Sequence, residues 1–223
     1  MLFCRGMRIA LVLRGHYRSF DKTHKMWLDA LKGLNYDCYF HTWDLQDATA
    51  QTWYRGEKNA LPLYPSNIEL LKKFDKDIVI EKQEFTKEDI QNKILDTSYK
   101  TFIYRYESLY NTLNRIDISK YDIVIVGRYD LDLKDTCFSK LVMNKDEIMT
   151  CGISDKKYYK ELRATDLLFA FHPENIPLFK LNPYVDLDSF KRGAEEPFTK
   201  FLFDNFKRVS LIWEYGKDFI IKR

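Results

Sequence analysis

The chain has 223 residues, 45% of them apolar, with a formal net charge of +3. That apolar share supports a sizeable core and excludes a disordered chain, and the small net charge, with acids and bases interspersed, makes no electrostatic case for nucleic acid as a partner. No run of about 18 apolar residues occurs, so no membrane span is expected, and Met1–Arg8 lacks the apolar segment of a signal peptide.

The elements alternate from the start. Arg8–Leu13 is a short apolar run with β-branched residues and reads as a buried strand. Phe20, Trp27, Leu28 and Leu31 recur at helical spacing over 20–33, with Gly33 as the stop. A second strand covers 36–42. The stretch from Trp43 to Pro65 has no period, and loops of that length commonly serve as lids or binding segments. Ser66 is positioned to cap a helix through Phe74, with Glu69 in the capping-box position. A strand at 77–81 follows, then a helix starting at Thr86, then a helix over 100–115 with Phe102, Tyr106, Leu109 and Leu113 on one face. Tyr121–Val126 is apolar on both faces, the mark of a central strand covered on both sides. Beyond it come strands at 147–151 and 166–171, a helix from Pro173 to Phe179, a helix over 195–206 and a last strand at 209–215. One α/β domain is expected over 1–223, its central sheet mixed but mainly parallel and flanked by helices.

Chemistry gathers after the central strand, in Arg128-Tyr129-Asp130-Leu131-Asp132-Leu133. Open α/β sheets bind ligands beyond the carboxyl ends of their strands. In extended backbone, residues two apart share a side, so Asp130 and Asp132 would repel unless a cation relieved them. Hard oxygen ligands suit Mg²⁺ or Mn²⁺, which can bridge phosphate oxygens. A solvated strand-end turn is the alternative. Haloacid-dehalogenase-type phosphatases place such a pair after the first strand and follow it with Thr or Val, unlike Leu133-Lys134 here. Polymerase-like nucleotidyltransferases precede it with a Gly-Ser element that this chain lacks. The four cysteines, Cys4, Cys38, Cys137 and Cys151, form no C-x-x-C pair, so free thiols in a reducing cytoplasm are expected.

Met7–Asp44, with its strand, Gly/Arg-Ser-Phe turn and His-Thr-Trp-Asp strand end, resembles the opening of small GT-A glycosyltransferases of large algal viruses and bacterial surface-polysaccharide clusters. The resemblance continues through Tyr121–Leu133, Thr165–Ala170 and the Glu195-Glu196 helix start. It implies a Rossmann-like GT-A domain, with residues 1–133 as the nucleotide-sugar half and 134–223 as the acceptor half. It also implies a nucleotide-sugar donor, a UDP-sugar first, a glycan or glycoprotein acceptor, Mn²⁺ or Mg²⁺ as cofactor, and, for a viral chain, the host cytoplasm.

Under that reading Asp130 and Asp132 are the metal ligands, Asp132 foremost. Arg14, Gly15, Tyr17 and Arg18 in the first turn, Thr42 and Asp44 at the second strand end, Arg105 on the preceding helix, and Arg128 with Asp130 border the donor. Arginine suits phosphate because its guanidinium is planar and permanently charged; Tyr17 is a base-stacking candidate. A carboxylate must take the acceptor proton if the anomeric centre inverts, and Asp166 and Glu195 are the candidates. The rivals are a sugar nucleotidyltransferase, which the absence of a Gly-rich phosphate loop disfavours, and a non-catalytic carbohydrate-binding module.

Overall fold

In the computed structural model, the residues described are 6–46, 61–84, 93–94, 97–142, 144–153, 163–183 and 195–222. The strands are β1 (Arg8–Arg14), β2 (Asn35–Trp43), β3 (Val79–Glu81), β4 (Lys93–Ile94), β5 (Thr97–Ser98), β6 (Ile123–Arg128), β7 (Leu131–Leu133), β8 (Glu147–Ile153), β9 (Arg163–Phe171), β10 (Arg208–Glu214) and β11 (Phe219–Ile221). The α-helices are α1 (Phe20–Ala30), α2 (Pro65–Lys72), α3 (Tyr99–Leu113) and α4 (Glu195–Asn205).

Alternation along β1 and β6 sets up two cores. Ile9, Leu11 and Leu13 join Ile123 and Ile125 on one face, where α1 adds Phe20, Trp27 and Ala30. Ala10, Val12, Val124 and Val126 line the other, covered by Phe102, Leu109 and Leu113 of α3 and Phe198, Phe201 and Leu202 of α4. A strand buried on both faces has no polar side, which is why both sequences read as continuous apolar runs. Seven strands form the main sheet in the order β10-β8-β9-β6-β1-β2-β3. The pairs β1–β2, β1–β6, β2–β3 and β8–β10 are parallel; β9 is antiparallel to both of its neighbours. This is the mixed, mainly parallel α/β sheet flanked by helices that the sequence implied.

Gly127 marks the tightest approach between layers. A Cβ there would stand 2.5 Å from Cη2 of the buried Trp27, so the indole lies on bare backbone and only glycine fits.

Several elements differ from expectation. Helix α2 begins at Pro65, not after Ser66, and Asn67 Oδ1 accepts the Tyr64 N–H at 3.0 Å; proline at a first helical position gives up an N–H that needs no partner. Residues Pro173–Lys180 form a 3₁₀ helix with Pro177 inside it, because proline removes a donor an α-helix would need. The expected helix start at Thr86 lies outside the described residues. Of the loop 45–65, the described ends meet in a bridge from Leu45 to Pro62. The antiparallel pair β7–β11 was not anticipated.

Candidate anion-binding site

Strand β1 has β2 and β3 to one side and β6 to the other. The carboxyl ends of β1 and β6 therefore flank the point where strand order reverses, and open α/β sheets form their ligand crevice there. The last register pair of the two strands is Arg14 beside Arg128. Register partners on adjacent strands project to the same face, so two guanidinium side chains leave the sheet together.

Each is braced by a carboxylate. Arg128 grips Asp130 with two bonds, Nε to Oδ1 at 3.0 Å and Nη2 to Oδ2 at 2.5 Å. Arg18 Nη1 adds a third at 2.6 Å, and the Asp130 side chain is fully inaccessible. Bidentate guanidinium–carboxylate pairing fixes direction as well as charge. Arg18 pays for its position with a left-handed backbone, φ +48°, while its N–H reaches Gln46 O at 2.6 Å; a non-glycine residue in that region is uncommon and clusters at functional sites. On the other side, the buried Arg14 donates from Nη2 to the Asp166 carboxylate at 3.1 Å and to the Asp166 carbonyl at 3.2 Å. Arg105 Nη1 lies 3.8 Å from the same carboxylate oxygen. Arg14 Nε is buried without a hydrogen-bond partner among the described residues.

Asp166 reaches Arg14 because of an irregularity in β9. Its pairing with β8 jumps from Thr150–Phe169 to Cys151–Thr165, leaving Asp166, Leu167 and Leu168 as a bulge. Thr150 Oγ1 closes it by donating to Thr165 O at 2.9 Å. Bulges beside ligand sites commonly re-aim a side chain.

The turn after β1 is held from beneath. Gly15, at φ +96°, donates its N–H to Ser108 Oγ at 3.0 Å, and the Ser108 hydroxyl is hydrogen-bonded to His41 Nδ1 at 2.8 Å. Burial keeps the His41 imidazole below its usual pKa despite Glu81 Oε2 at 3.3 Å. The next residue, His16, places Nε2 at 2.7 Å from Gln83 Oε1. With that oxygen accepting, Nε2 carries the proton and Nδ1 holds the lone pair. Burial, with Arg128 and Arg105 nearby, pushes the His16 pKa down to about 4, against the opposing effects of Gln83 and Asp130. His16 is thus a neutral imidazole among arginines. Gln83 is itself placed by Asp44, whose Oδ1 accepts the Gln83 N–H at 2.9 Å.

Of the residues singled out from the sequence, the fold brings Arg14, Gly15, Arg18, Arg105, Arg128, Asp130 and Asp166 together. Asp44 enters indirectly, through Gln83 and His16. Tyr17 is 1% exposed and meets Phe20 edge-on at 5.9 Å, so it is a core residue and offers no face to a nucleotide base. Thr42 is likewise buried. Glu195 begins α4, but its side chain lies outside what the structure describes. Sequence reasoning passed over Ser108 and Gln83, which sit on other elements and carry no motif.

The expected metal pair has a different character from the one its spacing implied. Tyr129 and Asp130 form a turn between β6 and β7, so the same-side rule for extended backbone does not apply. Asp130 is shared by two arginines, and Asp132 lies on β7 with Lys222 Nζ at 3.1 Å. Each acid already has a cationic partner. Among the described residues no three His, Cys, Asp or Glu side chains cluster as metal ligands. An ion at either acid would have to compete with that partner.

No family model matches the chain, and no curated protein sequence matches it. Among solved structures the chain is similar to the glycosyltransferase GlyE of Streptococcus pneumoniae TIGR4, with 10% identity over 92% of this chain and a TM-score of 0.46. The chain spans 45% of that structure's chain. No helix among the described residues is long and apolar enough to cross a membrane.

Proposed function

We propose that this chain is a glycosyltransferase that moves a sugar from a nucleoside-diphosphate donor, a UDP-sugar first, to a hydroxyl of a glycan or glycoprotein. The observation that carries the reading is the pair Arg14 and Arg128, side by side at the carboxyl ends of β1 and β6, where an α/β sheet binds its ligand. The sequence resemblance to small GT-A enzymes supports the choice of a sugar nucleotide over other anions.

In the reaction the bond from the anomeric carbon to the β-phosphate oxygen breaks, and its electron pair stays on that oxygen. The acceptor oxygen bonds to the anomeric carbon and gives up its proton. Arg14 and Arg128 hold the diphosphate as its charge grows, and donors fixed beforehand stabilise developing charge best. Asp130 and Asp166 aim these arginines. Since Asp166 Oδ2 is engaged by Arg14, Glu195 at the start of α4 is the candidate for the acceptor proton.

Thermal melting with UDP, GDP and CDP, each with and without Mn²⁺, tests the reading, because a ligand that binds the native state raises the melting temperature. The expected result is a rise with one of the three, strongest with UDP, followed by release of that nucleotide from its sugar conjugates. No shift with any nucleotide would sink the proposal and favour a carbohydrate-binding module. Pyrophosphate release from a nucleoside triphosphate and a sugar phosphate would replace it with a nucleotidyltransferase.

A further inference from the structure

Resting on that reading, we infer that the site holds the donor diphosphate with guanidinium groups alone, and that Asp130 and Asp166 serve as braces for arginine.

Four contacts carry this. Asp130 spends both carboxylate oxygens on Arg128 and one of them also on Arg18. Three of its lone-pair sites are taken, so an ion would have to share the carboxylate with two guanidiniums, against the repulsion of their charges. Asp132, on β7, faces Lys222 Nζ at 3.1 Å. Asp166, the other acid of the site, is turned to Arg14 by the β9 bulge.

The arginines, in contrast, keep donors available. Arg128 uses Nε and Nη2 on Asp130, and its Nη1 has no partner among the described residues. Arg14 Nε is a buried donor with no acceptor among the described residues. A buried donor left unpaired is costly, and a phosphate oxygen drawn into the crevice would relieve it. Asp130 and Asp166 also fix the guanidinium planes before any ligand arrives, so little side-chain entropy is lost on binding.

The test is calorimetric titration of UDP into the whole chain, once in excess EDTA and once in Mn²⁺, with Mn²⁺ alone titrated separately. The expected result is binding that changes less than about threefold between the two conditions and no saturable Mn²⁺ uptake. Arg14→Gln and Arg128→Gln should each weaken UDP about tenfold to a hundredfold, with circular dichroism confirming that each variant is folded. Should either variant fail to fold, the EDTA comparison and the Mn²⁺ titration on the parent chain still decide. UDP binding that appears only with Mn²⁺ or Mg²⁺ overturns the inference and leaves the glycosyltransferase reading standing. No UDP binding under either condition removes the reading on which it rests.

Discussion

Gly127→Ala measures how closely the layer beneath the site is fitted. The new methyl would stand 2.5 Å from Trp27 Cη2 and 2.9 Å from Cζ2, whereas carbon atoms settle at about 3.5–4.0 Å. Relief requires the indole or the strand to retreat by about 1 Å. The indole is 1% exposed and backs onto Phe138, with ring centroids 6.1 Å apart. The strand is paired on both edges, to β1 and to β9. With both directions blocked, overpacking should cost about 1–3 kcal/mol. At about 2–4 °C per kcal/mol for a chain of this size, a mid-range loss of about 2 kcal/mol lowers the melting temperature by roughly 4–8 °C. Trp27→Phe removes the two clashing atoms, so the double variant should be more stable than the sum of the single losses allows, by about 1 kcal/mol. Urea unfolding of the four proteins gives the cycle. A Gly127→Ala chain as stable as its parent, or a cycle without coupling, would refute the reasoning.

Other perturbations probe the site itself. Asp130→Asn leaves two guanidiniums facing an amide; Arg18 and Arg128 are 21% and 18% exposed, so the loss should be about 2–4 kcal/mol, somewhat below that of a fully buried pair, and an unchanged urea midpoint would contradict the bracing role. His16 titrates at about 4 when folded against 6.5 in the open chain; the unfolded state then takes up the proton first, so this contribution is full above about pH 6.5 and is lost as pH falls toward 4, by at most about 3 kcal/mol. His16→Gln should flatten stability over that window, and identical pH profiles for the two chains would count against it. Ser108→Ala strips the Gly15 N–H of its acceptor and His41 Nδ1 of its hydrogen-bond partner at a fully buried position, costing about 1–3 kcal/mol; faster amide exchange at Gly15 is the specific sign, and unchanged protection there argues against the link.

The sheet was legible because β1 and β6 are apolar on both faces and the arginines stand where those runs stop. The partners of the arginines were not. Asp166 meets Arg14 only through a bulge that no periodicity announces, since Thr165 to Leu168 read as ordinary strand. Asp130 and Asp132 looked like a pair because spacing alone presumes extended backbone, and the turn at Tyr129–Asp130 breaks that presumption. Tyr17 was a base-stacking candidate because a turn's direction depends on backbone angles that spacing does not give; Arg18, in the left-handed region, sends its own side chain to Asp130 while Tyr17 goes to the core.

One short strand governs when this site can exist. Lys222, just beyond β11, donates its N–H to Asp130 O at 2.8 Å, and its carbonyl accepts from Ser19 Oγ at 2.8 Å, a contact across 203 positions of sequence. Closing so long a loop is entropically slow to achieve, and such contacts form late in folding. During synthesis the first turn and the central strand leave the ribosome long before the segment that ties them together. A nascent chain can therefore assemble its parallel core early, whereas the turn that carries Asp130 is tied to the first helix only after residue 222 emerges.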